Sequence, residues 1–177
     1  VLQKIIQAAD LSPKDIVLEI GPGLGVLTKE LAKKAGRVIA VEKDKRLVEI
    51  LKENLGDYKN IEIIQGDILK IQQLQVSRGA SDSLRVAIED HGLEEAVSER
   101  ATLNPGVFKI VANLPYYIAS PVIRLFLESK NPPQEMILMI QKEVAQRICA
   151  KPPKMSLLAV SVQFYANPKI IAYVSKN

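Results

Sequence analysis

The run Ile16-Val17-Leu18-Glu19-Ile20 passes without a break into Gly21-Pro22-Gly23-Leu24-Gly25, and apolar residues then recur at helical spacing at Val26, Leu27, Leu31 and Ala32. A buried strand, a glycine turn and a helix make half of a parallel strand–helix–strand unit, because parallel neighbours can be joined only by a crossover. The rhythm continues. Residues 37–41 form a second strand closed by Glu42, and Leu47, Ile50, Leu51 and Leu55 mark an amphipathic helix stopped at Gly56. Residues 61–65 are a third strand, ending in Gly66-Asp67. Gly36 reads as the C′ residue that ends the helix after the glycine turn.

Residues 108–112, 135–140 and 169–174 read as further strands. Ser120 is placed as an N-cap with Pro121 at the first helical position, opening a helix through Leu127. Helices are also expected over 1–9, 143–150 and 156–165. Strands alternating with helices predict an α/β fold with a mostly parallel central sheet and helices on both faces. Residues 72–107 interrupt it. They are acidic, carry Ser77, Gly79, Ser81 and Ser83, and hold a helix near 93–101; we read them as an insertion in the form of a solvated loop.

Composition narrows the class. The chain of 177 residues, 47% apolar and 25% charged, is sized for one globular core. Its apolar runs fall far short of the ~18 residues a membrane span needs, and no basic stretch followed by an apolar run opens it. Single Cys149 and single His91 exclude an intrachain disulfide, a cysteine cluster and a histidine-pair metal site. We read Cys149 as core, from its place on a helix. Net charge is +4, yet residues 108–177 carry nine basic and three acidic groups, so a polyanion would be drawn to the final third.

In parallel sheets ligands bind beyond the carboxyl ends of the strands. Four features fall there: Gly21–Gly25, Glu42, Asp67 and the turn Asn113-Leu114-Pro115-Tyr116. The glycine loop has the spacing G-x-G-x-G rather than the G-x-G-x-x-G of dinucleotide sites, which suits a nucleoside cofactor without phosphates; a plain strand–helix turn is the alternative. Glu42 can accept from both ribose hydroxyls, or be a helix N-terminal acid. Asp67 can accept from an adenine exocyclic amine, or cap a turn. An exocyclic amine is a poor nucleophile because its lone pair is delocalised into the ring. The Asn113 side-chain carbonyl and the Leu114 or Pro115 main-chain carbonyl could accept its two N–H groups, and Tyr116 could stack on the base. The alternative is an Asn-x-Pro turn with core tyrosines.

At these residues the chain resembles the small-subunit ribosomal RNA adenine dimethyltransferases (KsgA-type), members of the class I S-adenosylmethionine-dependent methyltransferases. The matching segments are LEIGPGLGVLT (18–28), VIAVEKD (38–44), IEIIQGDIL (61–69), FKIVANLPYYIASP (108–121) and QKEVAQRI (141–148). Leu114, where relatives acting on large-subunit RNA often carry Ile, leans toward the small-subunit branch. The resemblance implies that Gly21, Gly23, Gly25, Glu42, Asp67, Ile68 and Asn113 hold S-adenosylmethionine, and that Asn113, Leu114, Pro115 and Tyr116 are catalytic, embracing the target adenine. It implies dimethylation of two adjacent adenosines near the 3′ end of small-subunit RNA during ribosome assembly, by a cytoplasmic monomer with no membrane partner and no metal.

The family's upstream Gly-Gln-Asn-Phe-type segment, its last sheet strand and its C-terminal helical RNA-binding domain are not in this sequence, so the chain is expected to be the cofactor-binding catalytic domain, residues 1–177. Lys142, Arg147, Lys151 and Lys154 are expected to meet RNA phosphates. Competing readings are a non-catalytic RNA-binding assembly or transcription factor, a large-subunit RNA adenine methyltransferase, a DNA adenine methyltransferase and a nicotinamide-dependent oxidoreductase.

Overall fold

The computed structural model describes residues 1–70 and 108–174, together with the backbone of residues 74–78 and 84–88. In chain order the elements are α1 (Leu2–Ala9), β1 (Ile16–Ile20), α2 (Val26–Ala32), β2 (Arg37–Glu42), α3 (Lys45–Leu55), β3 (Ile61–Gln65), a 3-10 turn (Ile68–Lys70), β4 (Leu74–Arg78), β5 (Leu84–Ile88), β6 (Phe108–Asn113), α4 (Ala119–Leu127), β7 (Glu135–Met139), α5 (Lys142–Ile148) and α6 (Leu157–Tyr165). Five strands form one all-parallel sheet in the order β3-β2-β1-β6-β7. No helix among the described residues is long and apolar enough to cross a membrane.

Side chains alternate across each strand, so successive residues feed opposite layers. Leu18, Ile20, Ile39, Val41, Ile110 and Ala112 pack with Val122 and Phe126 of α4. Val17, Val38, Val111 and Ile137 pack on the other face with Ile6 and Ala9 of α1 and Leu27 and Leu31 of α2. Burial on both faces explains why these strands read as nearly unbroken apolar runs. A smaller cluster of Ile123, Ile148 and Val162 ties α4, α5 and α6 together.

Lys109, on β6, is buried, and its ammonium donates to the carbonyls of Ala9 (3.0 Å) and Asp10 (3.1 Å). It thereby satisfies carbonyls that the end of α1 leaves orphaned. Asn60 does the same for α2, its amide donating to Ala32 (2.8 Å) and Ala35 (3.1 Å).

Four local expectations change. Gly36 is not a helix C′ residue, since α2 ends at Ala32. A glycine is required there by sterics: a Cβ would lie 2.1 Å from the Pro13 carbonyl oxygen. Ser120 is not a cap; Ile118 holds the N-cap position and Pro121 is the third helical residue, where its missing N–H would have had no intrahelical partner anyway. Residues 169–174 belong to neither sheet. Sequence preference supplies extended backbone there, but a strand exists only through a ladder, and no described strand pairs with it. Within 72–107, residues read as solvated loop contain an antiparallel pair, β4 with β5, in register from Leu74↔Ile88 to Arg78↔Leu84. The helix expected near 93–101 lies outside the described residues.

Candidate active site

The ladder between β1 and β6 stops early. It runs from Ile16↔Phe108 to Leu18↔Ile110, whereas β1–β2 pairing continues to Ile20↔Val41 and β6–β7 pairing to Asn113↔Met139. The carboxyl ends of the two central strands therefore splay apart, opening a crevice where the strand order reverses, the expected ligand position in such sheets.

The glycine loop forms one wall. Gly21, Gly23 and Gly25 have φ of 67°, 60° and 81°. At Gly25 the need is double: its φ disfavours any side chain, and a Cβ would lie 2.9 Å from Leu51 Cδ2. At Gly21 and Gly23, by contrast, a Cβ would meet nothing within 4 Å. That backbone faces open space, which suits close approach by a ligand.

Main-chain bonds hold the three neighbouring strand ends in one crescent: the Gly21 amide donates to Val41 (2.9 Å) and the Gly66 amide to Glu42 (2.9 Å). The buried Glu42 carboxylate accepts from the amides of Gly23 (3.2 Å, Oε2) and Asp44 (2.9 Å, Oε1). A carboxylate offers about four acceptor sites, so Glu42 clamps the glycine loop to the start of α3 and keeps capacity for a diol. Asp67 Oδ1 accepts from the Leu69 amide (3.1 Å) while Oδ2 pairs with Lys43 Nζ (2.9 Å). The Lys43 hydrogen bond holds the Asp67 carboxyl below its ordinary pKa, so it stays an acceptor at neutral pH. Ile68 opens the 3-10 turn with its side chain in the core, which leaves its backbone as the part able to meet a ligand.

On the opposite wall, β6 ends at Asn113, which is exposed; its side chain makes no hydrogen bond among the described residues. The Leu114 amide donates to Met139 (3.1 Å) and its side chain is buried. The Pro115 carbonyl accepts from Ile118 (3.1 Å), whereas the Leu114 carbonyl accepts nothing among the described residues. Of the two main-chain acceptors left open by the sequence, Leu114 is the one with no bond spent among the described residues, while Pro115 keeps one lone pair. Tyr116 and Tyr117 stand in solvent at 70% and 82% exposure rather than in the core. Lys142, Arg147, Lys151 and Lys154 are all exposed, on α5 and the turn after it, with Lys142 5.6 Å from the Tyr173 ring centroid. Cys149 caps the end of α5 and is half-buried rather than fully core.

Two residues near this site escaped notice in the sequence. Lys43 looks there like any solvated lysine. Glu19 carried a signal, an acid within an apolar strand, and proves buried on β1 near Thr28 of α2. Burial pushes its carboxyl up to about 8. The Thr28 hydroxyl lowers it partway, but neither Glu19 Oε2 nor Thr28 Oγ1 makes an aligned hydrogen bond, so burial dominates. Folded Glu19 keeps a proton that the unfolded chain gives up near 4.5, so its contribution to stability falls as pH rises between those two values. The urea midpoint should decline more steeply from about pH 5 to about pH 8 in the wild type than in Glu19→Gln, which lacks the titrating group. Parallel wild-type and variant profiles would refute the assignment.

Comparison with solved structures agrees with this fold. A dimethyladenosine transferase from Plasmodium falciparum matches with a TM-score of 0.63 and 29% identity, over 92% of this chain and 49% of that one. The 23S rRNA methyltransferase ErmE matches with a TM-score of 0.58 and 29% identity, over 82% of this chain and 47% of that one. The parallel sheet with helices on both faces is the class I, Rossmann-like methyltransferase fold. The family model for ribosomal RNA adenine dimethylase matches residues 1–177, and the chain belongs to that family. It is 45% identical over 174 residues to the Ribosomal RNA small subunit methyltransferase A of Dehalococcoides mccartyi, covering 98% of this chain and 51% of that protein. The chain spans about half the length of the curated relatives it matches.

Proposed function

We propose that the chain is the cofactor-binding and catalytic part of an enzyme that dimethylates the exocyclic amines of two adjacent adenosines near the 3′ end of small-subunit ribosomal RNA, acting on the immature subunit in the cytoplasm. The observation that carries the reading is the splayed β1–β6 crevice, with nucleoside-binding groups on one wall and the unengaged acceptors of Asn113 and Leu114 on the other.

The glycine loop, Glu42 and Asp67 fit S-adenosylmethionine: backbone open to close approach, a carboxylate for the ribose diol and one for the adenine amine. When bound, that cofactor supplies an electrophilic methyl on its sulfonium. The protein's part is positioning. The Asn113 side-chain carbonyl and the Leu114 carbonyl accept the two amine hydrogens of the target base and favour tetrahedral nitrogen, which localises the lone pair. Tyr116 stacks on the ring. The methylated nitrogen is acidic enough to lose its proton to solvent, so no general base is needed. Lys142, Arg147, Lys151 and Lys154 offer an exposed cationic face to RNA phosphates.

The curated relative's name favours small-subunit over large-subunit RNA, despite the similarity to ErmE. Unspent acceptors at Asn113 and Leu114 speak against a purely non-catalytic role. Calorimetric titration with S-adenosylmethionine, with NAD as comparison, tests the cofactor. Saturable binding of S-adenosylmethionine alone is expected, weakened about 10-fold or more in Glu42→Gln, because a hydrogen bond to a charged group contributes about 1.5–3 kcal/mol. Methyl incorporation into unmethylated small subunits then tests catalysis. Preference for NAD would overturn the cofactor, and cofactor binding without transfer would favour the assembly-factor reading.

A further inference from the structure

Lys43 lies at the carboxyl end of β2 and Asp67 just beyond β3, next to it in the sheet. Each Asp67 oxygen already accepts one hydrogen bond, Oδ1 from the Leu69 amide within its own turn and Oδ2 from Lys43 Nζ at 2.9 Å, so a ligand at Oδ2 must sit beside the ammonium or replace it. The two partners differ in freedom: the Lys43 side chain is 75% exposed, the Asp67 side chain 20%. Asp67 is held by the fold, whereas the ammonium gives up little when it swings back into water. A purine amine entering the adenine end of the pocket needs that same acceptor.

We propose that Lys43 is a specificity-determining residue of the cofactor pocket, competing with the adenine exocyclic amine for Asp67 Oδ2. This rests on the cofactor reading above. The amine meets an oxygen whose charge the ammonium already partly satisfies, binding beside Lys43 or in its place, and the net preference of the pocket for a 6-amino purine is smaller than Asp67 alone would give. Salt weakens the exposed ion pair but hardly affects a neutral amine, so the preference of the wild type widens as salt is raised.

The test compares S-adenosylhomocysteine with its analogue carrying hydrogen in place of the purine amine, by calorimetry at low and high salt. In Lys43→Met the ratio of the two affinities should widen by about 2- to 5-fold, the range expected for removing an exposed ion pair, and lose its salt dependence. Lys43→Arg should behave as wild type, and Asp67→Ala, which leaves no side-chain acceptor, should collapse the ratio. An unchanged ratio in Lys43→Met alongside a collapsed one in Asp67→Ala overturns the competition while leaving the pocket in place. An unchanged ratio in Asp67→Ala overturns Asp67 as the amine acceptor and the proposal with it. Failure of the wild type to bind either ligand overturns the cofactor reading itself.

Discussion

Asn113→Ala is expected to cut methyl transfer at saturating cofactor by about 10²- to 10³-fold, the usual loss when one preorganised electrostatic contact made in the transition state is removed. The size follows from the chemistry. The target amine becomes nucleophilic only as its lone pair leaves the ring, and two acceptors on its hydrogens favour that change. With Pro115's carbonyl engaged by Ile118, the Asn113 side chain and Leu114 carbonyl are the pair at hand, and alanine leaves only one. The fold should not suffer, because Asn113 is exposed and its side chain has no described partner; the melting temperature should match wild type. On the proposed reading Asn113 also meets the cofactor, so some loss of cofactor affinity is expected, but smaller than the loss of rate. Asn113→Asp keeps an acceptor and should lose less. Single-turnover transfer to unmethylated small subunits, with cofactor affinity measured separately, splits the two effects. A variant that keeps more than about a tenth of the rate would remove Asn113 from the reaction.

Gly36→Ala should be the most damaging single-methyl change to stability. The glycine's amide bonds Asp15 (3.0 Å), which brings its Cα against the Pro13 carbonyl, and a Cβ there would lie 2.1 Å from that oxygen. Backbone cannot give way as a side-chain tip can, so the cost is about 1–3 kcal/mol or more. At roughly 2–4 °C per kcal/mol for a domain of this size, the melting temperature should drop by several degrees. Gly66→Ala is the control, since a Cβ there meets nothing within 4 Å. Equal melting of the two variants would show that the approach of Pro13 is not tight.

Much of this fold was legible because in a parallel sheet each strand is apolar on both faces and each crossover is an amphipathic helix. Periodicity therefore located β1, β2, β3, β6 and β7 within a residue or so of their observed limits. The site was legible in outline for a related reason. Ligands meet such sheets at the carboxyl ends, so residue types there announce themselves: glycines at Gly21 to Gly25, acids at Glu42 and Asp67, the turn at Asn113.

What failed was local inference where the deciding partner lies far along the chain. Ser120-Pro121 has the composition of a helix start, yet the preceding turn from Pro115 to Ile118 sets the entry two residues earlier. Apolar and polar residues alternate from Leu74 to Ser77 and from Leu84 to Val86, a signal hidden by the acidic, serine-rich setting. Residues 169–174 have strand-like composition but no ladder.

The order of strands and helices, the α/β class and the chemical kinds of group at the strand ends can be read from the chain alone, since all three are carried by periodicity and by neighbouring residues. Which of those groups are engaged and which are open emerges once folding brings distant residues together. Pro115's carbonyl already accepts one hydrogen bond and Leu114's accepts none among the described residues; Asp67 is paired with Lys43; Glu19 is buried without an aligned partner; Lys109 closes the end of α1. The physical reason is common to all of them. A hydrogen bond, an ion pair or a desolvated charge depends on separations of a few ångströms between residues that chain folding, not sequence spacing, brings together.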